Sequence, residues 1–460
     1  MQMKALAKIK EGGTYKKLKN FGKNAENKEL VKHSFLALVI RIFGAGAAFL
    51  MNVVVARYIG AEQAGYFFLA VSITTLVASI GRVGADQTVL RFVSIHAEKK
   101  EWPNVHAVMK KMMMWTYLPL IFFTVVMCVF AKQISVYLFH KEELTWPLFW
   151  TSLTIPFFAG YNVLGMALQA VRKVVYSVIN LKVLTPLFLI IIAFVLAPKS
   201  GNSVSVYYSV ACVINLIFGY WWWNKSVPKA STSAEYDTKT LWSSSGPLWV
   251  SSIMQQITIW GGQLVAGRFV DSKDVAVLAV ARQTTVLVSF ILLAVNNVSS
   301  PRIAAMYNQG QMGKLKNYSR NSTLMMTIIA LPITLFIWFF PNFIFSFFGK
   351  DFTGDNSVWI LRILTLGQFV SVVSGIVGTL LVMCGYEKDL KNIRIWNGVV
   401  AIVLALILTP LYGAIGSALS SAIAMAYFNL SCVSVVKKRL GFSTISIFRS
   451  KEKADKKITS

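Results

Sequence analysis

Twelve apolar blocks, most of them close to the ~20 residues that cross a bilayer as an α-helix, govern what this chain can fold into. We place them at 33–58, 63–90, 112–131, 145–169, 175–197, 203–223, 243–267, 274–299, 322–346, 356–382, 392–410 and 413–435. The runs are continuous rather than short and alternating, which excludes a transmembrane β-barrel. A soluble domain does not carry 55% hydrophobic residues with 14% charged over 460 residues. The fold class is an all-α polytopic membrane protein. Gly81 and Gly84 predict a bend in the second block, and prolines at 119, 156, 186, 247, 332 and 410 predict breaks in others.

The formal net charge of +27 would suggest a nucleic-acid partner in a soluble protein. Here the charge concentrates in the tails and in alternate loops, so nucleic acid is not expected. With both termini cytoplasmic, about 34 Lys and Arg face the cytoplasm and about seven face the other side. That imbalance sets the orientation, with both termini cytoplasmic in a plasma (inner) membrane. No cleavable signal peptide fits the polar, Lys-rich start, which reads as a solvated segment in contact with anionic lipid. The four cysteines fall in apolar stretches with no zinc or disulfide spacing, so no metal is expected.

The halves repeat at an offset of about 212. Arg57-Tyr58-Ile59 matches Arg268-Phe269-Val270, Arg91 matches Arg302, and Leu118-Pro119 matches Leu331-Pro332. Asn180-Leu181-Lys182 matches Asn392-Ile393-Arg394, and Pro198 and Gly201 match Pro410 and Gly413. Six spans is an even number, so both halves start on one side and are parallel repeats with a path between them. The domains follow: a basic tail (1–32), a six-helix bundle (33–223), a linker (224–242), a second bundle (243–435) and a basic tail (436–460).

Five cations lie inside the blocks: Arg41, Arg82, Lys182, Arg282 and Arg362. The one acid at comparable depth is Asp86. Charges in a bilayer face a protein interior or a watery cavity, so an excess of cations implies an anionic ligand. Arg82 and Asp86 stand at i and i+4 and suit an intrahelical pair. Lys182 and Arg362 are close enough to a surface to snorkel. Arg41 and Arg282 are too deep for that and are the strongest candidates. Asn52, Gln255, Gln256, Gln283, Asn296 and Gln368 are further candidates for sugar hydroxyls, against a plain role in joining helices. Guanidinium forks match phosphate oxygens and stay charged in any pocket.

Arg41-Ile-Phe-Gly-Ala-Gly, then Ala56-Arg57-Tyr58-Ile59-Gly60 and Ala64-Gly65-Tyr66, resemble the start of the polysaccharide exporter family, the oligosaccharide-lipid (O-antigen, Wzx-type) flippases. Gly81-Arg82-Val83-Gly84-Ala85-Asp86 with Arg91-Phe92, and Pro410-Leu-Tyr-Gly413-Ala-Ile-Gly416-Ser-Ala, resemble later stretches of the same family. The resemblance implies a V-shaped pair of six-helix bundles, shared with multidrug (MATE) exporters and lipid II flippases. Lipid II flippases usually carry two further spans, which this sequence does not show. The implied substrate is an undecaprenyl-pyrophosphate-linked oligosaccharide, turned to the outer leaflet for O-antigen, capsule or other surface polysaccharide. Polymerase or chain-length machinery would be a partner, and no cofactor is expected beyond a coupling ion, H+ or Na+. The scarcity of membrane acids leaves no obvious proton carrier.

Two other classes compete. A drug exporter of the same fold would need a membrane carboxylate for cations, and only Asp86 is available. A polymerase, ligase or glycosyltransferase would need acids or bases at the outer face, where His140 with Glu142 and Glu143 is the best candidate cluster, a loop-tip charge run that reads as solvated. The reading is therefore a transporter and not an enzyme.

Overall fold

The computed structural model describes residues 25–229 and 237–445, and these are helical with no strand among them. Expected features of the two tails and of the linker that fall on 1–24, 230–236 and 446–460 lie outside the described residues.

Twelve spans follow from the helices. Span 1 (25–59) and span 2 (61–98) are joined at Gly60, whose φ of 72° reverses the chain. Span 3 is Trp102–Val129, span 4 Thr145–Ser152 with Ile155–Ala170, span 5 Val174–Lys182 with Leu184–Leu196, and span 6 Gly201–Ser226. Span 7 is Thr238–Phe269, span 8 Ser272–Asn308, span 9 Met312–Phe339, and span 10 Asp355–Ser374 with Val377–Met383. Spans 11 (387–412) and 12 (414–440) reverse at Gly413, with φ 57°. Left-handed backbone strains any residue with a Cβ, so glycine occupies both turns.

The breaks follow some of the prolines and glycines: helices run unbroken through Pro119, Pro247 and Pro332, and near Pro410 the reversal falls at Gly413. Span 4 bends by 44° just before Pro156, and span 5 by 45° at Val183, ahead of Pro186. Span 2 is interrupted between Gly81 and Ala85, as its glycines predicted. The break in span 10 at Gly375 was not anticipated. Span 1 starts at Ala25, inside the segment expected to be a polar tail, and span 12 runs on to Leu440.

Contacts sort the connections onto two faces. On the loop face, Arg57 Nε donates to the Phe347 carbonyl at 2.6 Å and Lys141 Nζ to the Val270 carbonyl at 2.8 Å. Arg268 Nη1 lies 3.4 Å from the Tyr137 carbonyl. These bonds tie the two halves together there. The opposite, termini face holds the Arg172–Glu98 and Arg439–Asp389 ion pairs.

Spans 2 and 7 form a seam between the halves. Gln263 Nε2 donates to the Phe68 carbonyl (3.2 Å), Gln256 Nε2 to Ser79 Oγ (3.1 Å) and Trp249 Nε1 to the Ile80 carbonyl (2.8 Å). The Thr88 and Ser245 hydroxyls meet at 2.8 Å. Many large apolar side chains face outward, such as Leu118 and Val195, as lipid contact requires.

Candidate functional site

The candidate site is a cavity of about 750 Å3 within the second half. Arg282 of span 8 and Arg394 of span 11 line it with Gln283, Asn296, Gln368 and Asn397. Hydroxyls from Thr258, Thr285, Ser300, Ser371, Thr379 and Ser421 add to the wall, between apolar side chains such as Leu364, Met425 and Phe428. No carboxylate stands among these residues.

Arg282 is held in place. Its guanidinium stacks 3.7 Å from the Trp260 ring centroid, and Nη1 donates to the Ile259 carbonyl at 2.6 Å. The stack is a cation–π contact that leaves the remaining N–H groups for a ligand. Arg282 lies ten residues past the start of span 8, about 15 Å from the loop face. Arg394 Nη1 is 3.4 Å from Ser251 Oγ. Asn296 Oδ1 accepts from Thr379 Oγ1 (2.9 Å), and Asn397 Nδ2 donates to Thr258 Oγ1 (3.2 Å). These bonds fix the amides, so each presents a set donor or acceptor.

The first half carries a second cationic group. Arg41 and Arg82 both lie within electrostatic range of Lys182. Span 1 crosses span 5 so closely at Gly44 that an added Cβ would be 2.9 Å from the Lys182 Cβ. This crossing brings Arg41, one turn earlier, beside Lys182. The Lys182 side chain is exposed and Arg41 is half-buried. Arg82 differs: it is 7% exposed, pairs with Asp86 at 3.3 Å, donates to Ser79 Oγ at 3.0 Å and lies 5.8 Å from the Phe158 ring. The expected i, i+4 pair is present, and Ser79 links it to Gln256 across the seam.

The other predicted residues are not gathered at the cavity. Arg362 is sandwiched between Trp338 (5.5 Å) and Trp359 (5.4 Å) and donates to the Trp338 carbonyl, off the cavity wall. Gln255 is exposed elsewhere, Gln256 serves the seam, and Asn52 is buried in span 1 outside the wall. Arg394 was missed as a site residue because it stands near a helix start. Its match to Lys182 in the repeat was the available signal.

His140, Glu142 and Glu143 border a loop-face pocket with Glu62 and Asp271. Glu143 is taken up by Gln63 at 3.0 Å, and His140 Nδ1 lies 2.9 Å from the Val136 carbonyl. Burial pushes the Lys141 ammonium there below its ordinary value. No group that could hold a metal occurs among the described residues.

Two six-helix halves meeting along a seam, with a polar and cationic cavity at membrane depth, define a two-bundle membrane transporter architecture. The chain belongs to the polysaccharide biosynthesis protein family, which it matches over residues 30–307. Residues 247–411 also match the MatE family. A probable low-salt glycan biosynthesis flippase, Agl15 of Haloferax volcanii, is 22% identical over 411 residues, covering 86% of this chain and 81% of that protein. An inward-facing multidrug resistance MATE transporter of the MOP superfamily shares the fold with a TM-score of 0.71 at 15% identity, over 89% of this chain and 98% of that one. The lipid II flippase MurJ, in an inward closed conformation, gives a TM-score of 0.70 at 17% identity, over 88% and 87%.

Proposed function

We propose that this protein is a flippase for a lipid-linked oligosaccharide. In this reading the glycan is carried on undecaprenyl pyrophosphate and passes from the cytoplasmic to the outer leaflet, for surface polysaccharide synthesis. The observation that carries it is the cavity wall: two guanidinium groups, several oriented amides and hydroxyls, and no carboxylate. Such a wall suits phosphate oxygens and sugar hydroxyls together, and repels cations. The flippase Agl15 among the relatives supports the same class.

The loop face, tied by Arg57, Lys141 and Arg268, is the closed side of this state. Alternating access requires those bonds to break as the halves rock. The lysine-rich face of the termini is read as cytoplasmic, in contact with anionic lipid. The multi-pass protein then sits in the plasma membrane and hands its product to a polymerase or ligase. The relatives are transporters, which supports reading the chain as a carrier and not a catalyst.

The test is purified protein in proteoliposomes with a fluorescent disaccharide on undecaprenyl pyrophosphate, with and without H+ or Na+ gradients. Protein-dependent loss of the inner-leaflet signal is expected, and no flipping under any gradient would reject the reading. A multidrug exporter is the second reading, favoured by the MatE match. Saturable binding of cationic dyes to the cavity would establish it instead.

A further inference from the structure

Span 10 is two helices, Asp355–Ser374 and Val377–Met383, parted at Gly375. Gly375 sits at φ 82°, a left-handed backbone that suits glycine, and an added Cβ would collide with the Thr323 hydroxyl of span 9. A helix that stops inside a bundle leaves its last carbonyls without intrahelical donors, and each buried one needs another partner. The Gly375 N–H serves the Val372 carbonyl at 3.0 Å. The Ser374 carbonyl takes its donor from outside the spans, Thr444 Oγ1 at 2.7 Å.

Thr444 reaches the break on a strap. Past span 12 the chain turns at Gly441, with φ 76°, and runs back against spans 9 and 10. Phe442 and Thr444 are buried, and Ser443 between them offers its carbonyl to Arg320 Nε of span 9 at 3.1 Å. The far side of the same break faces the cavity, which residues 375–379, 382 and 383 line. On that side the second helix of span 10 is loosely held. A Cβ at Gly378 would meet nothing within 4 Å, and one bond ties the helix to span 8, from Thr379 Oγ1 to Asn296 Oδ1 at 2.9 Å. Behind it Leu380 and Leu381 pack into the core, through apolar contacts that have no preferred direction.

We propose that Val377–Met383 is a flap on the cavity, hinged at Gly375, with Thr444 pinning the pivot and Thr379 latching the closed position. A hinge needs a few residues that absorb a backbone change while their surroundings stay fixed. Gly375 supplies the first, and the strap with Thr323 supplies the second. The flap is the end of span 10 nearer the termini face, so its tilt sets access to the cavity from that face. Thr444 touches no cavity space and acts through span 10, which makes it a positioning residue. The flap's part in transport rests on the flippase reading; its motion does not.

Cys384, at the end of the flap and 5% exposed, is a native reporter, and the fully buried Cys432 of span 12 is its internal standard. The full-length protein in detergent is treated with a water-soluble maleimide, and labelling of each cysteine is followed by mass spectrometry. Thr444→Val and Thr379→Val should each speed Cys384 labelling about fivefold, the effect of one lost hydrogen bond, and leave Cys432 unchanged. Thr444→Ser keeps the hydroxyl and should label like wild type. Thr379→Val carries the test if Thr444→Val does not fold. Unchanged Cys384 labelling in the valine variants, Cys432 labelling that rises in step, or a serine variant that behaves like valine would each overturn the flap. Flipping is measured on the same proteins, where Thr444→Val should slow it roughly threefold and Thr444→Ser should not. Faster Cys384 labelling with unaltered flipping overturns the flap's part in transport. A wild type that does not flip rejects the flippase reading, and the labelling still decides the flap.

Discussion

Arg82 and Arg282 are both arginines of membrane helices, yet the two halves treat them in opposite ways. Arg82 is paired with Asp86, bonded to Ser79 and set against Phe158 at the seam. Arg282 has a tryptophan face and one carbonyl, on a cavity wall without a carboxylate. The first arrangement neutralises the charge and holds two helices together. The second orients the charge and leaves it for a ligand. Residue type and depth are therefore not enough to define a site, because the neighbours decide whether a cation is spent or available.

The largest expected effect that tests this contrast is on transport. Arg282→Ala should lower the flipping rate more than tenfold, at least about 1.4 kcal/mol, while the protein inserts and melts normally. Unchanged flipping would put Arg282 with the structural arginines. Arg82→Gln should act first on stability, by roughly 2 kcal/mol, because it leaves the mostly buried Asp86 unpaired. Adding Asp86→Asn should recover most of the melting temperature; no recovery would show that the pair is not what Arg82 supplies.

Gly84→Ala probes the seam itself. Its φ is 73°, and a Cβ there would come within 2.6 Å of the Ser245 carbonyl. A loss of about 1–2 kcal/mol is expected from backbone and packing together, read as a lower melting temperature. Arg362→Ala should cost about 1 kcal/mol through its two tryptophan contacts and alter flipping less than threefold. A loss as large as that of Arg282→Ala would return Arg362 to the transport path.

The smallest effect lies outside both regions, at the turn after span 2. His96 Nδ1 lies 2.6 Å from Glu101 Oε2, and that bond holds the Glu101 carboxyl below its ordinary value. The lowered value means that the contact contributes above the unfolded-state pKa and is lost as pH falls through the folded one. Hydrogen exchange in 96–104 should rise in acid, and Glu101→Gln should remove that dependence.

Much of the architecture was legible in the residues. Apolar runs of bilayer length placed the helices, and the glycines at 81 and 84 placed the interruption of span 2. The i, i+4 spacing of Arg82 and Asp86 foretold their pair. The cation excess pointed to an anionic ligand; of its five members Arg282 alone lines the cavity, with Arg394 beside it. Other features were not legible. Arg362 stood among the candidate site cations, within reach of a surface, until Trp338 and Trp359 closed around it. Arg394, at a helix start in the sequence, showed its place on the cavity wall only once span 11 packed on span 7. The break of span 10 at Gly375 left no proline in the sequence to announce it.

The sequence by itself determined the all-helical class and the placing of about twelve apolar spans along the chain. Those depend on length and hydropathy, which the bilayer reads one helix at a time. Only the tertiary structure decided which cations share a space. The direction in which a side chain leaves its helix matters only once a neighbouring helix is there to face it. Packing turned Arg282 and Arg394 toward one cavity, and it gave Arg82 and Arg362 partners of their own.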